Sequence, residues 1–140
     1  MKLSIHQAKI APHSLPIFLS AVAAGFPSPA DDYLDDALDL NQLLISHPAA
    51  TFFVRVQGES MSEANIYSGD VLVVDRSVEP KNRNIVVAVI NGEFTVKRIA
   101  KKGKALFLLP ENPAYPPIEI AEDTDFQVWG VVTYVIHKAK

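Results

Sequence analysis

Residues 85–99 read Ile85-Val86-Val87-Ala88-Val89-Ile90-Asn91-Gly92-Glu93-Phe94-Thr95-Val96-Lys97-Arg98-Ile99. Two runs dense in β-branched and aromatic residues flank Asn91-Gly92. That dipeptide favours a two-residue hairpin turn, because both of its positions accept positive φ. The turn pairs Ile90 with Glu93 and therefore sets Lys97 opposite Val86, with Ala88, Thr95 and Ile99 as its neighbours on the same face. That face is largely apolar. Burial there disfavours a charged ammonium, so the lysine pKa falls and a neutral amine becomes available as a base. The competing reading is a lysine whose stem lies along the strand while its head reaches water. Arg98 faces the other side and stays protonated, which excludes it as a base.

Working outward, further strands are expected at Thr51–Gln57, Val71–Asp75, Ala105–Leu109 and Val128–Ile136, beside Ile85–Ile90 and Glu93–Ile99. Ser68-Gly69-Asp70 and proline-rich turns separate them. The fold class is therefore mainly β. Residues 1 to about 50 differ in texture, being rich in Pro, Ala and acidic groups, and read as a mobile N-terminal arm before a β domain over 51–140. Pro48 marks the soft boundary, since it disfavours helix at His47. Within the arm, Phe26-Pro27-Ser28-Pro29 suits neither a regular helix nor a central strand, and is expected to be extended and exposed. Asp31 or Asp32 is expected to cap a short helix with Leu34, Ala37, Leu38 and then Leu44 or Ile45 on its buried face. Asp31, Asp32, Asp35 and Asp36 are read as acidic groups at a helix N-terminus rather than a metal cluster, because no metal-ligand pattern accompanies them.

Composition narrows the functional classes. The chain has 140 residues, enough for one domain with an arm, and 49% of them are hydrophobic, which excludes a disordered protein. A formal net charge of -3 argues against binding nucleic acid by phosphate neutralisation. Lys101, Lys102 and Lys104 are read as a solvated turn. The chain contains no cysteine, which removes thiol catalysis, disulfides and cysteine zinc sites and suits a reducing cytoplasm. No apolar run is long enough to span a membrane. Leu15–Ala24 is short, interrupted by Pro16 and not preceded by a compact basic region, so an export signal is not expected. No metal and no cofactor are expected.

Gly58-Glu59-Ser60-Met61 follows the first strand of the β domain directly. Gly58 permits a tight backbone there. A serine at such a turn can present its hydroxyl, and can offer its own backbone N–H, with that of Glu59, to an oxyanion. Taken alone, the tetrapeptide equally describes a serine that caps a turn. It is not the G-x-S-x-G elbow, because Ser62 replaces the second glycine. A serine nucleophile needs a base. His6, His13, His47 and His137 lie in the arm, at the boundary or near the C-terminus, without an evident orienting acid, whereas Lys97 sits in a strand core. Val22-Ala23-Ala24-Gly25 supplies small residues that allow an extended backbone to approach a nucleophile or to add to a sheet edge, and reads otherwise as a linker.

Together these segments resemble the UmuD-type SOS mutagenesis proteins, which group with the LexA-type self-cleaving repressors. The resemblance runs from Ala24-Gly25-Phe26-Pro27-Ser28-Pro29 through Asp39–Ile45, Gly58-Glu59-Ser60-Met61, Ser68-Gly69-Asp70, Asp75 and Asn91–Lys97 to Gly130-Val131-Val132. It implies a LexA-like, signal-peptidase-like β domain with Ser60 as nucleophile and Lys97 as general base. It implies Ala24–Gly25 as the scissile bond, cut in cis or between partners of a homodimer, with a RecA filament on single-stranded DNA as co-protease. It further implies that the trimmed homodimer serves a UmuC-like Y-family polymerase in translesion synthesis. The best-known proteins of the UmuD type have cysteine before the scissile glycine. Ala24 stands there instead, as in LexA repressors, and is small enough for the same site. A DNA-binding repressor is not expected, because the 24 residues before the bond are too few for a helix-turn-helix. A signal peptidase would need a membrane anchor, and a pure binding module would leave Ser60 and Lys97 without chemistry.

Overall fold

The computed structural model of the chain describes residues 2–8, 14–18 and 34–139. The chain divides into two units, 1–8 with 47–140, and 9–46. The larger unit is an eight-stranded sheet built from β1 (Lys2–Gln7), β4 (Thr51–Gln57), β5 (Val71–Asp75), β6 (Ile85–Ile90), β7 (Glu93–Lys102), β8 (Ala105–Leu109), β9 (Ile118–Ile120) and β10 (Phe126–Ile136). The spatial order is β1-β4-β5-β10-β6-β7-β8-β9 and every neighbour is antiparallel. The smaller unit pairs β2 (Ser14–Phe18) with β3 (Leu34–Asp39) and continues into a short helix, α1 (Leu40–Leu44).

The mainly β expectation holds, and the β6–β7 hairpin forms in the register that its turn dictates. Ile90 pairs with Glu93, Ala88 with Thr95 and Val86 with Lys97. Asn91 and Gly92 both have positive φ, at 49° and 82°, as a type I′ turn requires. Alternation then sends the residues of one hairpin into two cores. Val87 and Val96 join Val54, Val56, Met61, Ile66, Leu72 and Val74. Val86, Ala88 and Ile99 join Leu108 and Val131. Lys97 shares its face with the second group.

Lys2–Gln7 departs from the expected arm. It is a sheet strand, paired with β4 from Lys2↔Gln57 to Gln7↔Phe52, with half-buried Leu3 and Ile5 alternating against exposed Lys2, Ser4 and His6. β9 is a further strand outside the expected set, and β7 runs three residues past Ile99 because its far end finds β8 as partner, from Arg98↔Leu109 to Lys102↔Ala105. Leu34–Asp39 forms a strand where a helix was expected. Its backbone bonds go to β2 residues about twenty positions upstream, a partner that no local apolar spacing can reveal. The helix begins only at Leu40, and its N-cap is Asp39, whose carboxylate accepts the Asn41 N–H at 2.9 Å. The expected caps Asp31 and Asp32, the segment Phe26–Pro29 and the bond Ala24–Gly25 lie outside the described residues.

Gly130 sits at a register irregularity where β10 passes β6. A Cβ there would meet Val74 Cγ1 at 2.6 Å, and Val74 is a fully buried, β-branched side chain with no room to turn aside. Gly130→Ala is therefore expected to destabilise the larger unit by about 1–3 kcal/mol. Thermal unfolding measures this, and an unchanged midpoint would show that β10 relaxes freely at that point.

Candidate active site

Ser60 lies just past the end of β4, where Val54 and Val56 anchor the strand in the core. Gly58, at a φ of 115°, turns the chain out of the strand. Met61 and Ile66 then bury completely, so the serine is held between two anchored points. A single 3₁₀ turn over Ser62–Ala64 follows, closed by Asn65 in the left-handed region. Ser60 is 3% exposed and Lys97 6% exposed.

Lys97 Nζ lies 3.1 Å from Ser60 Oγ, 2.8 Å from Thr95 Oγ1 and 3.0 Å from Val96 O. Burial pushes the Lys97 pKa below its ordinary 10.5. A neutral amine has two N–H groups and one lone pair. Thr95 Oγ1 and the Val96 carbonyl can take the two hydrogens, which leaves the lone pair for the serine hydroxyl. The geometry thus suits proton transfer from Oγ to Nζ. Neither the Glu59 N–H nor the Ser60 N–H has a hydrogen-bond partner among the described residues, so both remain available as donors.

The serine turn is held from outside by the loop after β8. Glu111 N–H donates to Ser60 O at 2.8 Å, and Glu111 O accepts from Glu63 N–H at 2.8 Å. Asn112 Nδ2 donates to Glu59 O at 2.7 Å. Pro110–Pro113 falls in one of the proline-rich turns expected between the strands. Its Asn112 was the available signal, since asparagine commonly bonds its own turn, as it does here to Ala114 N–H at 2.9 Å. Thr95 was expected as a face neighbour of Lys97, but its hydrogen bond to the amine was not.

Two histidines do meet acids, contrary to the sequence reading. His47 Nδ1 bonds Asp75, and His137 Nδ1 bonds Asp70 at 2.6 Å. Neither histidine bonds Ser60, whose hydroxyl is engaged by Lys97. Among the described residues no group of three or more His, Asp or Glu could hold a metal ion. No helix among them is long and apolar enough to cross a membrane. Lys101, Lys102 and Lys104 are exposed around the β7–β8 turn.

Residues 16–133 match the family described as Peptidase S24-like. Protein SamA of Salmonella typhimurium is 50% identical over 125 residues, which cover 89% of this chain and 86% of that protein. Protein MucA of Escherichia coli is 44% identical over 137 residues, covering 96% and 93%. LexA repressor 1 of Xanthomonas campestris is 42% identical over 125 residues, covering 89% of this chain but 61% of the repressor.

The buried amine has a consequence for stability. Because the folded-state pKa of Lys97 is depressed, the unfolded chain binds more protons over the window between the two values. The penalty is full below the folded pKa and disappears as pH rises past the unfolded one. Lys97→Met removes it. The variant's stability advantage over the wild type is therefore expected to shrink as pH rises toward the ordinary lysine range. Denaturant unfolding across that range measures the difference, and a constant difference would contradict a buried, perturbed amine.

Proposed function

We propose that this chain, which belongs to the peptidase S24-like family and is a self-cleaving serine peptidase of the SOS mutagenesis type, carries its chemistry on Ser60 and Lys97 and cuts its own Ala24–Gly25 bond. The observation that carries this reading is the 3.1 Å approach of Lys97 Nζ to Ser60 Oγ with both side chains buried. Neutral Lys97 takes the Oγ proton while Oγ attacks the Ala24 carbonyl carbon. The oxyanion of the tetrahedral intermediate is held by the Ser60 and Glu59 N–H groups. The C–N bond to Gly25 then breaks, and Lys97 returns the proton to the departing amine. Water, activated by the same lysine, hydrolyses the ester on Ser60.

The open edge of β7 supports docking of an extended substrate. β7 pairs with β6 over Glu93–Arg98, but with β8 only from Arg98 onward. Among the described pairings, the β8 side of Phe94–Val96 is therefore free beside the lysine, and an extended peptide can add to it as a strand. Small residues such as Ala24 and Gly25 allow the close approach.

Family resemblance supports the partners. A RecA filament on single-stranded DNA promotes the cut without supplying a catalytic group. The trimmed homodimer then serves a UmuC-like Y-family polymerase. Sequence-specific DNA binding and membrane insertion form no part of this reading.

Incubation with activated RecA filaments, followed by intact-mass measurement, tests it. The wild type is expected to yield a fragment beginning at Gly25, while Ser60→Ala and Lys97→Ala stay whole and still unfold cooperatively. Cutting of a folded Ser60→Ala chain would contradict the assignment. Spontaneous cleavage is expected to accelerate with rising pH as Lys97 becomes neutral, and a flat alkaline profile would remove lysine as the base. Gly25→Lys is expected to block the cut by crowding the backbone approach, which mass measurement also reads.

A further inference from the structure

We propose that Arg98, Glu111 and Asn112 act as positioning residues that clamp the Ser60 turn to the strand bearing Lys97. The proposal rests on Ser60 and Lys97 being the reacting pair. Packing of Met61 and Ile66 places the turn, but few hydrogen bonds inside it span Ser60 itself. Ser62 N–H to Glu59 O at 3.3 Å is the bond that spans the serine, while Ala64 N–H to Met61 O and Asn65 N–H to Ser62 O, each at 3.0 Å, lie beyond it in the 3₁₀ turn. Stronger ties come from two consecutive residues of another loop. Glu111 bonds Ser60 O and Glu63 N–H through its backbone, each at 2.8 Å, and Asn112 Nδ2 reaches Glu59 O at 2.7 Å. The peptide bonds before and after the serine are both gripped.

What fixes that loop is Arg98. Its Nε donates to the Glu111 carboxylate, and its Nη1 donates to Arg83 O at 2.6 Å. Arg98 directly follows Lys97 in β7, so adjacent residues place the amine on one face and the anchor on the other. The connections close a ring: Lys97 to Arg98 along the chain, Arg98 to Glu111, Glu111 to Ser60, and Ser60 back to Lys97. The side chains of Arg98 and Glu111 are 26% and 30% exposed, so their ion pair is partly solvated and adds little to global stability. Its effect falls on geometry, where a displacement of about 1 Å at a nucleophile costs roughly a hundredfold in rate.

The test is spontaneous self-cleavage of the full chain across alkaline pH, read by intact mass, alongside thermal unfolding. Asn112→Ser keeps a hydroxyl for the Ala114 N–H but cannot reach Glu59 O. Glu111→Ala removes the acceptor for Arg98, whereas Glu111→Gln removes the same charge and keeps an acceptor oxygen. Asn112→Ser and Glu111→Ala are expected to slow cleavage roughly 10- to 100-fold. Glu111→Gln is expected to recover most of the rate. Unfolding midpoints, and the pH at which the rate is half-maximal, are expected to stay near wild type. Wild-type rates in both slow candidates would overturn the clamp. So would a rate loss that follows a lowered unfolding midpoint, a shifted pH midpoint, or a Glu111→Gln variant as slow as Glu111→Ala. Ser60→Ala separates the two levels. If it still cleaves, the nucleophile reading fails and the clamp with it. If it is inert while the clamp variants run at wild-type rate, only the clamp fails.

Discussion

The arrangement depends on one unfavourable placement, an amine buried on an apolar strand face. Water would hold Lys97 as an ammonium, useless as a base. Val86, Ala88 and Ile99 share its face and reduce that solvation, which shifts the amine toward its neutral form, the form that the proposed proton transfer from Ser60 requires. The cost is contained because the amine is not left without partners. Thr95 Oγ1 and Val96 O take its hydrogens, and both come from the same strand, so the orientation of the lone pair is set locally. Among the described residues, His47 and His137 pair with Asp75 and Asp70 and neither bonds Ser60.

A buried amine alone does not make a reactive pair. Ser60 reaches Lys97 across 37 positions of sequence, on a turn that β4, Met61 and the Glu111–Asn112 loop hold from three sides. Three separate segments therefore converge on one distance. Packing of Met61 and Ile66 fixes where the turn lies, while the polar ties around Glu59 and Ser60 fix how the hydroxyl is aimed.

Much of this was legible in the sequence, and the reason is local chemistry. Asn91-Gly92 can make few turns other than the tight hairpin, so the partner of Lys97 followed by counting. The run of β-branched and aromatic residues from Thr51 to Val56 made β4 and the serine past its end readable. Elements whose partners lie far away were not legible. Lys2–Gln7 and Ile118–Ile120 are short, and become strands because β4 and β8 offer them an edge. Leu34–Asp39 has spacing compatible with a helix, yet pairs with β2. Glu111 meets the serine turn through its backbone and Asn112 through one amide, while the Glu111 carboxylate turns away to Arg98, so residue type leaves little trace of the contact with Ser60. The segment carrying Ala24 and Gly25 acquired meaning only through family resemblance.

Whether burial holds Lys97 neutral enough to act as a base is read most directly by titrating that one side chain. In isotope-labelled Ser60→Ala protein, which cannot consume itself, the Lys97 ε-methylene shift followed against pH gives its folded pKa. The expected midpoint lies clearly below the ordinary 10.5. A midpoint at or above that value would mean an amine that stays charged beside the serine, and would rule out Lys97 as the base.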